Sequence, residues 1–392
     1  MNNFTYYAPT KVVFGKDTHL LCGSLIRAYA PGRVLVHYGG KSAAKSGLLD
    51  EIYASLEKEG IEYISLGGAV PNPRLGLVYE GIELCRKEGV DFILALGGGS
   101  AMDSAKAIAC GVKYSGDVWD LYLRKEPVRE ALPLGVVVTI AATGSEMSNS
   151  SVITNENGSL KRSIKSDLVR PRFAVMNPAL TCTLPLFQTM SGCVDIIMHT
   201  FERFFSREED TQLTDTLALG LVKTVMHNAK ILMKDPNNYN ARAEILWAGS
   251  LSHNNLTGCG RAGDWACHQL EHELSGMFDV AHGAGLSAIW GSWARYVYKE
   301  EPLRFAKLAF EALNIPYDYE NPENTALAAI EAMEAFFSSI GMPVNISQLG
   351  IELTDENIKE LAYKCSFMDT RTIGGLKILG RKDMEEIYRM AR

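Results

Sequence analysis

The sequence contains no C-x-x-C pair, although eight cysteines are scattered along its 392 residues. This scatter argues against a zinc knuckle, a dithiol redox site and a disulfide framework. The chain also lacks any long run of Lys and Arg, and its formal net charge is −7. Because neutralising phosphate requires a basic face, we predict that nucleic acid is not a partner.

Membrane and export signals are missing as well. Uncharged stretches such as 173–194 are interrupted by Pro, Asn, Gln and Ser, so none of them is typical of a transmembrane helix. The first residues, MNNFTYYAPTKVVFG, contain neither the basic region nor the apolar core of a signal peptide. The sequence therefore predicts a cytoplasmic protein with no membrane partner.

The composition is that of a soluble globular chain, with 47% apolar and 22% charged residues, and its length favours at least two domains. The first half alternates between β-rich and helical patterns. The predicted strands are RVLVHY (33–38), IEYISL (61–66), DFILAL (91–96) and LGVVVTI (134–140), and helical patterns lie near 42–59, 74–88 and 100–111. Such alternation predicts a Rossmann-like α/β domain with a parallel sheet covered on both faces.

The second half has no convincing strand after TCTLPLF (181–187). It shows long amphipathic patterns at 210–234, 239–258, 301–313, 323–340 and 354–366. We therefore predict an α/β domain over 1–186 and an all-helical domain over 187–392.

A glycine-rich loop follows one of the predicted strands. In LGGGSAMDSAK the residues Gly97, Gly98 and Gly99 leave the backbone open, and the helix that follows would offer its unpaired N–H groups to an anion. Ser100 and Asp103 have the spacing of a capping box, with Asp in place of Glu or Gln. The pattern predicts a pyrophosphate site. It is not G-x-G-x-x-G, so a tight strand-to-helix turn with an ordinary cap is the alternative.

A second loop, HYGGKSAAKSG, follows the first strong strand. It is not a P-loop, because that motif requires Gly where Leu35 stands. In nucleotide-binding folds this position meets the adenosine ribose, where an acid selects the free 2′-hydroxyl and a cation accommodates a 2′-phosphate. No acid lies between Asp17 and Asp50. The loop instead supplies Gly39, Gly40, Lys41, Ser42 and Lys45, and a solvated lysine-rich loop is the alternative interpretation.

Three of the eight histidines lie within DWACHQLEHELSGMFDVAHGAG. Asp195 and His199 are four residues apart, His268 and His272 repeat that spacing, and His282 follows ten residues later. Residues at i and i+4 share one helix face, and a carboxylate with several imidazoles suits Fe²⁺ or Zn²⁺. Four ligands are needed and five candidates are present, so one histidine is spare. Spacing does not identify it, and isolated core histidines are often only structural.

Seven segments in this order give the chain a family resemblance. They are KVVFG (11–15), LGGGSAMDSAKAI (96–108), TIAATGSEMSN (139–149), NPALTCTLP (177–185), DIIMH (195–199), DWACHQLEHEL (264–274) and VAHGAGL (280–286). The chain resembles the iron-containing (group III) alcohol dehydrogenases, and most closely their butanol dehydrogenase-like branch. The resemblance implies a dehydroquinate synthase-like two-domain architecture, in which 1–186 is the dinucleotide-binding domain and 187–392 is the metal- and substrate-binding domain.

The resemblance also implies roles for the histidines. The family's metal ligands correspond to Asp195, His199, His268 and His282. His272 is then an active-site neighbour that relays a proton or contacts substrate, and packing is its alternative role.

Cofactor contacts are implied in the same way. The pyrophosphate cradle corresponds to Gly97, Gly98, Gly99 and Ser100, with Asp103 nearby; the loop along the phosphates and nicotinamide corresponds to Thr139, Thr143 and Ser145; a lysine contact and the adenine pocket wall correspond to Lys161, Thr181 and Leu184. Relatives that prefer NAD tend to carry Asp at the position of Gly39. The resemblance therefore implies NADP(H), with NAD(H) as the alternative.

The implied activity is metal-dependent hydride transfer between NADP(H) and a small, mostly apolar aldehyde or primary alcohol, in a cleft between the domains. One rival is a dehydroquinate synthase-like lyase or a glycerol-type polyol dehydrogenase. A phosphorylated polyhydroxylated substrate would need several cations, and region 247–297 contains only Arg261 and Arg295. A non-catalytic nucleotide-binding protein is the other rival, which an intact ligand quartet disfavours. Relatives are commonly dimers, so the resemblance implies a homodimer, in which the β-rich segment 4–14 would pair across a two-fold axis.

Overall fold

The computed structural model describes residues 1–40 and 42–392. The chain forms two compact units, one made of Tyr7–Leu184 and the other of Met1–Tyr6 together with Pro185–Arg392. Lys41, a predicted cofactor contact, lies outside the described residues.

The first unit is built on a parallel sheet. Its strands and those of a separate hairpin are β1 (Lys11–Phe14), β2 (Arg33–Tyr38), β3 (Glu62–Leu66), β4 (Phe92–Gly97), β5 (Leu134–Val138), β6 (Ser150–Asn155), β7 (Leu160–Lys165) and β8 (Phe173–Met176). The six-stranded sheet has the order β1-β8-β5-β4-β2-β3, and every neighbouring pair is parallel. Strands β6 and β7 form the antiparallel hairpin.

Helices cover both faces of this sheet, as the continuous apolar strands predict. They are α1 (Cys22–Arg27), α2 (Ser42–Lys45), α3 (Leu48–Lys58), α4 (Leu75–Glu88), α5 (Gly99–Lys113) and α6 (Val118–Tyr122). Alternate strand residues such as Val34 and Val36 pack in one core cluster with Ile52 and Leu56 of α3. The intervening Leu35 is buried on the opposite face. The predicted α/β architecture is therefore confirmed.

The second unit consists of helices joined by short connections. They are α7 (Leu186–Phe204), α8 (Gln212–Lys234), α9 (Tyr239–His253), α10 (Ala266–Phe278), α11 (His282–Val297), α12 (Pro302–Leu313), α13 (Pro322–Ser339), α14 (Asp355–Cys365) and α15 (Arg381–Ala391). Side-chain caps begin α9, where Asn238 accepts a hydrogen bond from the Ala241 N–H, and α14, where Thr354 accepts one from the Asn357 N–H. The predicted helical second half is confirmed. Within the described ranges, every helix is too short or too polar to cross a membrane.

The first residues of the chain pack on this helical unit. The Asn2 N–H donates to the Gly260 carbonyl at 2.8 Å, and the Asn254 amide donates to the Tyr6 hydroxyl at 3.2 Å. The segment 4–14, which the sequence suggests for pairing between subunits, is therefore divided. Its residues up to Tyr6 join the helices, whereas Lys11–Phe14 forms β1 and pairs with β8 of the same chain.

Candidate metal and cofactor sites

Helix α7 supplies one wall of a histidine cluster in the helical unit. Asp195, His199 and Glu202 occupy positions i, i+4 and i+7 of this helix, so their side chains lie along one face. All three are almost completely buried, with 2%, 5% and 2% of their surface exposed. Buried ionisable groups of this kind require compensation by partners or by an ion.

Three imidazoles converge on one oxygen of Asp195. The Oδ1 atom lies 3.2 Å from His199 Nδ1, 3.8 Å from His268 Nε2 and 3.7 Å from His282 Nε2. The ligand atoms of Asp195, His268 and His282 all lie within 4.8 Å of one another. His199 lies beside this trio, and its ring centroid is 4.6 Å from that of His268.

Several donor atoms of this cluster have no hydrogen-bond partner. Asp195 Oδ1, His199 Nδ1 and His268 Nε2 are buried and unpaired. A buried polar atom without a hydrogen bond lowers the free energy of unfolding by about 1–3 kcal/mol. Three such atoms close to one another therefore call for an explanation. A divalent ion would satisfy all of them, and nitrogen and carboxylate donors suit Fe²⁺ or Zn²⁺. The residues present therefore fit a metal ion.

Two glutamates hold the far sides of the histidine rings. Glu202 Oε1 lies 2.8 Å from Nδ1 of His268, and Glu271 Oε2 makes a short hydrogen bond with Nδ1 of His282. A carboxylate that accepts from Nδ1 leaves Nε2 free to face a metal and orients the ring. The sequence interpretation missed both residues. Their spacing could have indicated them. Glu202 lies three positions after His199 and Glu271 lies three positions after His268, in each case on the same helix face.

The electrostatics of the cluster differ between two of its histidines. Burial, the neighbouring His268 and the Arg203 guanidinium hold the pKa of His199 well below its ordinary value. Burial alone would also lower the pKa of His268, but Asp195 and Glu202 outweigh it and raise that pKa to about 9. The site therefore keeps His199 neutral and stabilises positive charge between the two carboxylates, as a cation-binding site requires.

His272 lies on the partly exposed side of the cluster. Its ring centroid is 5.7 Å from that of His282 and 6.5 Å from that of His268. With Glu271 and His282 it forms a second group whose ligand atoms lie within 4.8 Å of one another. The proton-relay role of His272 stays a prediction.

The predicted cofactor loops lie at one edge of the parallel sheet. Strands β2, β4 and β5 are neighbours, and their carboxyl ends lead into the loops that begin at Gly39, Gly98 and Thr139. The chain order reverses between β2 and β4, because β3 lies on the outer side of β2. Open α/β sheets bind ligands at such a switch point.

Two glycines allow the loops after β4 and β5 to touch. A Cβ atom on Gly98 would lie 2.8 Å from Ile140 Cδ1, and one on Gly99 would lie 2.4 Å from Thr143 Cγ2. Larger residues would force the loops apart. Gly97 has a φ of 152°, which residues with a side chain rarely adopt.

The expected capping box is absent, and this corrects the sequence interpretation. Helix α5 begins at Gly99 with Gly98 as its N-cap, so Ser100 lies inside the helix. Asp103 faces elsewhere: its Oδ1 accepts from the Ser145 hydroxyl at 2.6 Å and its Oδ2 from the Val152 N–H at 2.9 Å. The helix start still presents backbone N–H groups without a side-chain cap.

The remaining predicted contacts are distributed around the first unit. Lys161 is buried in β7 and donates to Asn72 Oδ1 at 3.0 Å. The Thr181 hydroxyl donates to the Pro178 carbonyl at 2.8 Å, and the Leu184 N–H donates to the Thr181 carbonyl. Their contacts with a cofactor stay predictions, as do those of Gly40 and Ser42.

Comparison with known proteins covers both units. Residues 9–178 match the iron-containing alcohol dehydrogenase family, and residues 189–392 match the C-terminal region of the Fe-containing alcohol dehydrogenase family. The chain is 39% identical over 390 residues to the probable NADH-dependent butanol dehydrogenase 2 of Bacillus subtilis, with 99% of each chain covered. It is 34% identical to the NADPH-dependent aldehyde reductase YqhD of Escherichia coli, over 90% of each chain.

A solved structure gives the same result. The crystal structure of NADH-dependent butanol dehydrogenase A from Thermotoga maritima is similar to this chain with a TM-score of 0.96 and 36% identity. The comparison covers 100% of this chain and 99% of the other. From its sequence, its two-unit fold and its histidine cluster, the chain belongs to the iron-containing alcohol dehydrogenase family.

Proposed function

We propose that this alcohol dehydrogenase depends on a divalent metal and transfers hydride between NADP(H) and a small, mostly apolar aldehyde or primary alcohol such as butanal or butanol. The observation that carries the proposal is the convergence of three imidazole nitrogens on the buried Oδ1 of Asp195, which makes no hydrogen bond of normal geometry. A purely structural cluster would have hydrogen bonds at these atoms.

Asp195, His199, His268 and His282 would hold the ion, Fe²⁺ or Zn²⁺. A bound divalent ion supplies Lewis acidity toward the substrate oxygen. The protein's own part is positional, because Glu202 and Glu271 orient two of the ligand rings. His272, on the partly exposed side of the cluster, would move the hydroxyl proton.

The preference for NADP(H) is supported by the loop after β2. A Cβ atom on Gly39 would meet only the Ala69 carbonyl oxygen, at 3.4 Å, and one on Gly40 would meet nothing within 4 Å. The loop thus leaves space and brings no carboxylate near the expected ribose position. The NADPH-dependent Escherichia coli relative agrees with this preference, whereas the Bacillus subtilis relative is named for NADH.

The preference for an apolar substrate is supported by the two cations of region 247–297. Arg261 is bound to Asp215 inside the helical unit, and Arg295 is bound to both carboxylate oxygens of Glu334. Neither guanidinium is uncommitted, so a phosphorylated substrate, as in the lyase alternative, would lack the cations it needs.

The test is the initial rate of NADPH oxidation with butanal, measured beside NADH, after chelation, and after addition of Fe²⁺ or Zn²⁺. We expect a chelator-sensitive rate that the metal restores and that is higher with NADPH. An Asp195→Asn variant is the control and should stay inactive after metal addition. Absence of turnover with either cofactor and any metal would contradict the proposal and favour the lyase or the non-catalytic alternative.

We also propose a homodimeric, cytoplasmic enzyme. Strand β1 lies at one edge of the sheet, and Phe4, Tyr7 and Phe14 are exposed apolar side chains in the same stretch of sequence. Light scattering after size-exclusion chromatography would detect the dimer, and a monomer at micromolar concentration would contradict it.

A further inference from the structure

Lys106 is a completely buried lysine in the middle of α5, with 0% of its surface exposed. Its ammonium group donates to three backbone carbonyls, those of Ser145 at 2.7 Å, Ser148 at 3.1 Å and Ser150 at 2.8 Å. It also lies 3.2 Å from the Ser148 hydroxyl. All four acceptors belong to six consecutive residues, 145–150.

Residues 145–150 form the last part of the loop that follows β5 and the first residue of β6, and two side chains of α5 bind to Ser145 in this segment. The Ser145 carbonyl accepts from Lys106, and the Ser145 hydroxyl donates to Asp103. Asp103 and Lys106 lie one turn apart on α5. The first turn of the same helix is the glycine loop, where Gly99 packs directly against Thr143. One helix thus contacts both of the loops after β4 and β5, which the sequence predicts as cofactor contacts.

The charge on Lys106 is compensated by these oxygens. A buried ammonium is expensive unless its hydrogens are bonded, and carbonyl oxygens can replace the hydration shell of a monovalent cation. Burial lowers the pKa of Lys106 to about 8, against the opposing influence of Asp103 and Glu146. The three carbonyl contacts require the charged form, because only an ammonium has three hydrogens to donate.

We propose that Lys106 is a positioning residue whose ammonium acts as a built-in monovalent cation, around which residues 145–150 fold to hold Ser145 and Thr143 in place for the dinucleotide. The inference rests on the proposed function, since the NADP(H) of that function is the ligand predicted for these loops. It extends the function by naming what orders the second loop, a side chain that itself need not touch the cofactor.

The experiment compares Lys106→Ala with Lys106→Met in the full chain. The alanine variant leaves an empty cage of oxygens, whereas methionine fills the same space without charge. The dissociation constant of NADPH is measured by fluorescence titration in buffers that contain ammonium, potassium or tetramethylammonium chloride at equal ionic strength. Amide hydrogen exchange of residues 143–152 is followed in the same buffers.

We expect both variants to bind NADPH at least about tenfold more weakly and to lose amide protection in this segment. Ammonium or potassium should restore affinity and protection to Lys106→Ala only, because tetramethylammonium cannot enter the cage and methionine occupies it. Unchanged NADPH affinity with lowered thermal stability would overturn the proposal and leave Lys106 a purely structural residue. Equal recovery in all three salts, or in Lys106→Met, would also overturn it.

Two further measurements separate a failure of this proposal from a failure of the proposed function or of folding. If wild-type protein binds neither NADPH nor NADH, the proposed function fails, and the exchange data alone decide whether a cation orders the segment. If Lys106→Ala does not fold, Ser148→Ala removes a single acceptor from the cage. That variant should weaken NADPH binding and leave the metal content of the helical unit unchanged, and unaltered NADPH binding would then contradict the proposal.

Discussion

Glu202 accepts two hydrogen bonds from His268, one from the ring Nδ1 at 2.8 Å and one from the backbone N–H at 2.7 Å. The same carboxylate oxygen therefore fixes both the orientation of the imidazole and the first turn of α10. Because Glu202 lies on α7 with Asp195, it aligns the two helices that supply the metal-binding side chains. This relationship underlies the first prediction.

Replacing Glu202 by Gln should weaken metal binding by about 10–100-fold while the helical unit stays folded. An amide is a poorer acceptor than a carboxylate, so the His268 ring would lose both orientation and basicity. Competition with a metal-sensitive dye measures the affinity. Glu334→Gln is the matched control, since that carboxylate pairs with Arg295 and no cluster histidine. Equal metal affinity in the two variants would argue against a supporting role for Glu202.

Replacing His268 or His282 by Ala should remove the metal and the activity together. Each change deletes a nitrogen that lies within 4 Å of Asp195 Oδ1. Metal analysis, butanal reduction and urea unfolding are measured on the same samples, and unfolding should remain cooperative. His227→Ala, an exposed histidine of α8, serves as control. A metal-free variant that still reduced butanal would show that the Lewis-acid assignment is wrong.

Gly39→Asp should shift the cofactor preference from NADPH toward NADH. The new carboxylate would stand at the end of β2, where it repels a 2′-phosphate and accepts from a free 2′-hydroxyl. The ratio of kcat/KM for the two cofactors is the measurement, with Gly40→Ala as a control in the same loop. An unchanged ratio would show that this loop does not determine which cofactor the enzyme prefers.

His37 should make the stability of the first unit depend on pH. Its ring bridges the Leu66 carbonyl at 2.9 Å and the Ser104 hydroxyl at 2.5 Å, and burial lowers its pKa from 6.5 to about 4. The unfolded state binds the proton first, so the neutral ring contributes stability above pH 6.5 that is lost as pH falls through 4. The pKa difference corresponds to about 3 kcal/mol.

The comparison with His37→Gln isolates this contribution. The free energy of unfolding is measured for both proteins between pH 7 and pH 4. The advantage of the wild type should shrink steadily over this range, because glutamine does not titrate. A difference that stays constant with pH would mean that His37 is not buried as a neutral ring.

Gly99→Ala should weaken dinucleotide binding by roughly tenfold, which is about 1.4 kcal/mol. The added methyl group would lie 2.4 Å from Thr143 Cγ2 and 2.7 Å from its Oγ1, so the two cofactor loops must separate. NADPH titration measures the effect. The double variant Gly99→Ala/Thr143→Ala relieves the collision. Its loss of NADPH binding free energy should be smaller than the sum of the losses in the two single variants. If the losses of binding free energy in the two single variants simply add up in the double variant, the position of the loops does not depend on this contact.

Several elements with a strong local pattern were predictable, whereas others were not, among them the 19-residue helix α7 and the six-residue hairpin strands β6 and β7. Strand β2 occupies the predicted residues 33–38, and the helix predicted at 100–111 is α5 (Gly99–Lys113). Strands β1 and β8 have four residues each, too few for a period to be recognised, and β8 gains its place in the sheet from non-local pairing with β5 and β1. The helix predicted at 239–258 ends at His253, and Asn255 with a φ of 77° begins the turn that follows it.

The same distinction holds for the site. Spacing of four residues identified Asp195 with His199, because that relationship is local to one helix. Glu202 reaches His268 across 66 residues of sequence, and its position three residues after His199 indicates a shared helix face but does not identify His268 as its partner. The capping box failed for a related reason. Asp103 found stronger donors in a distant loop than in its own helix terminus.

The division of the chain at Tyr6 has a consequence for biosynthesis. Residues 1–6 belong to the helical unit, but the α/β unit, residues 7–184, is translated between them and the rest of their partners. The hydrogen bonds of Asn2 with Gly260 and of Tyr6 with Asn254 therefore form only after Asn254 and Gly260 have left the ribosome. All residues of the α/β unit are synthesised before Pro185, whereas the helical unit is assembled from segments on both sides of it.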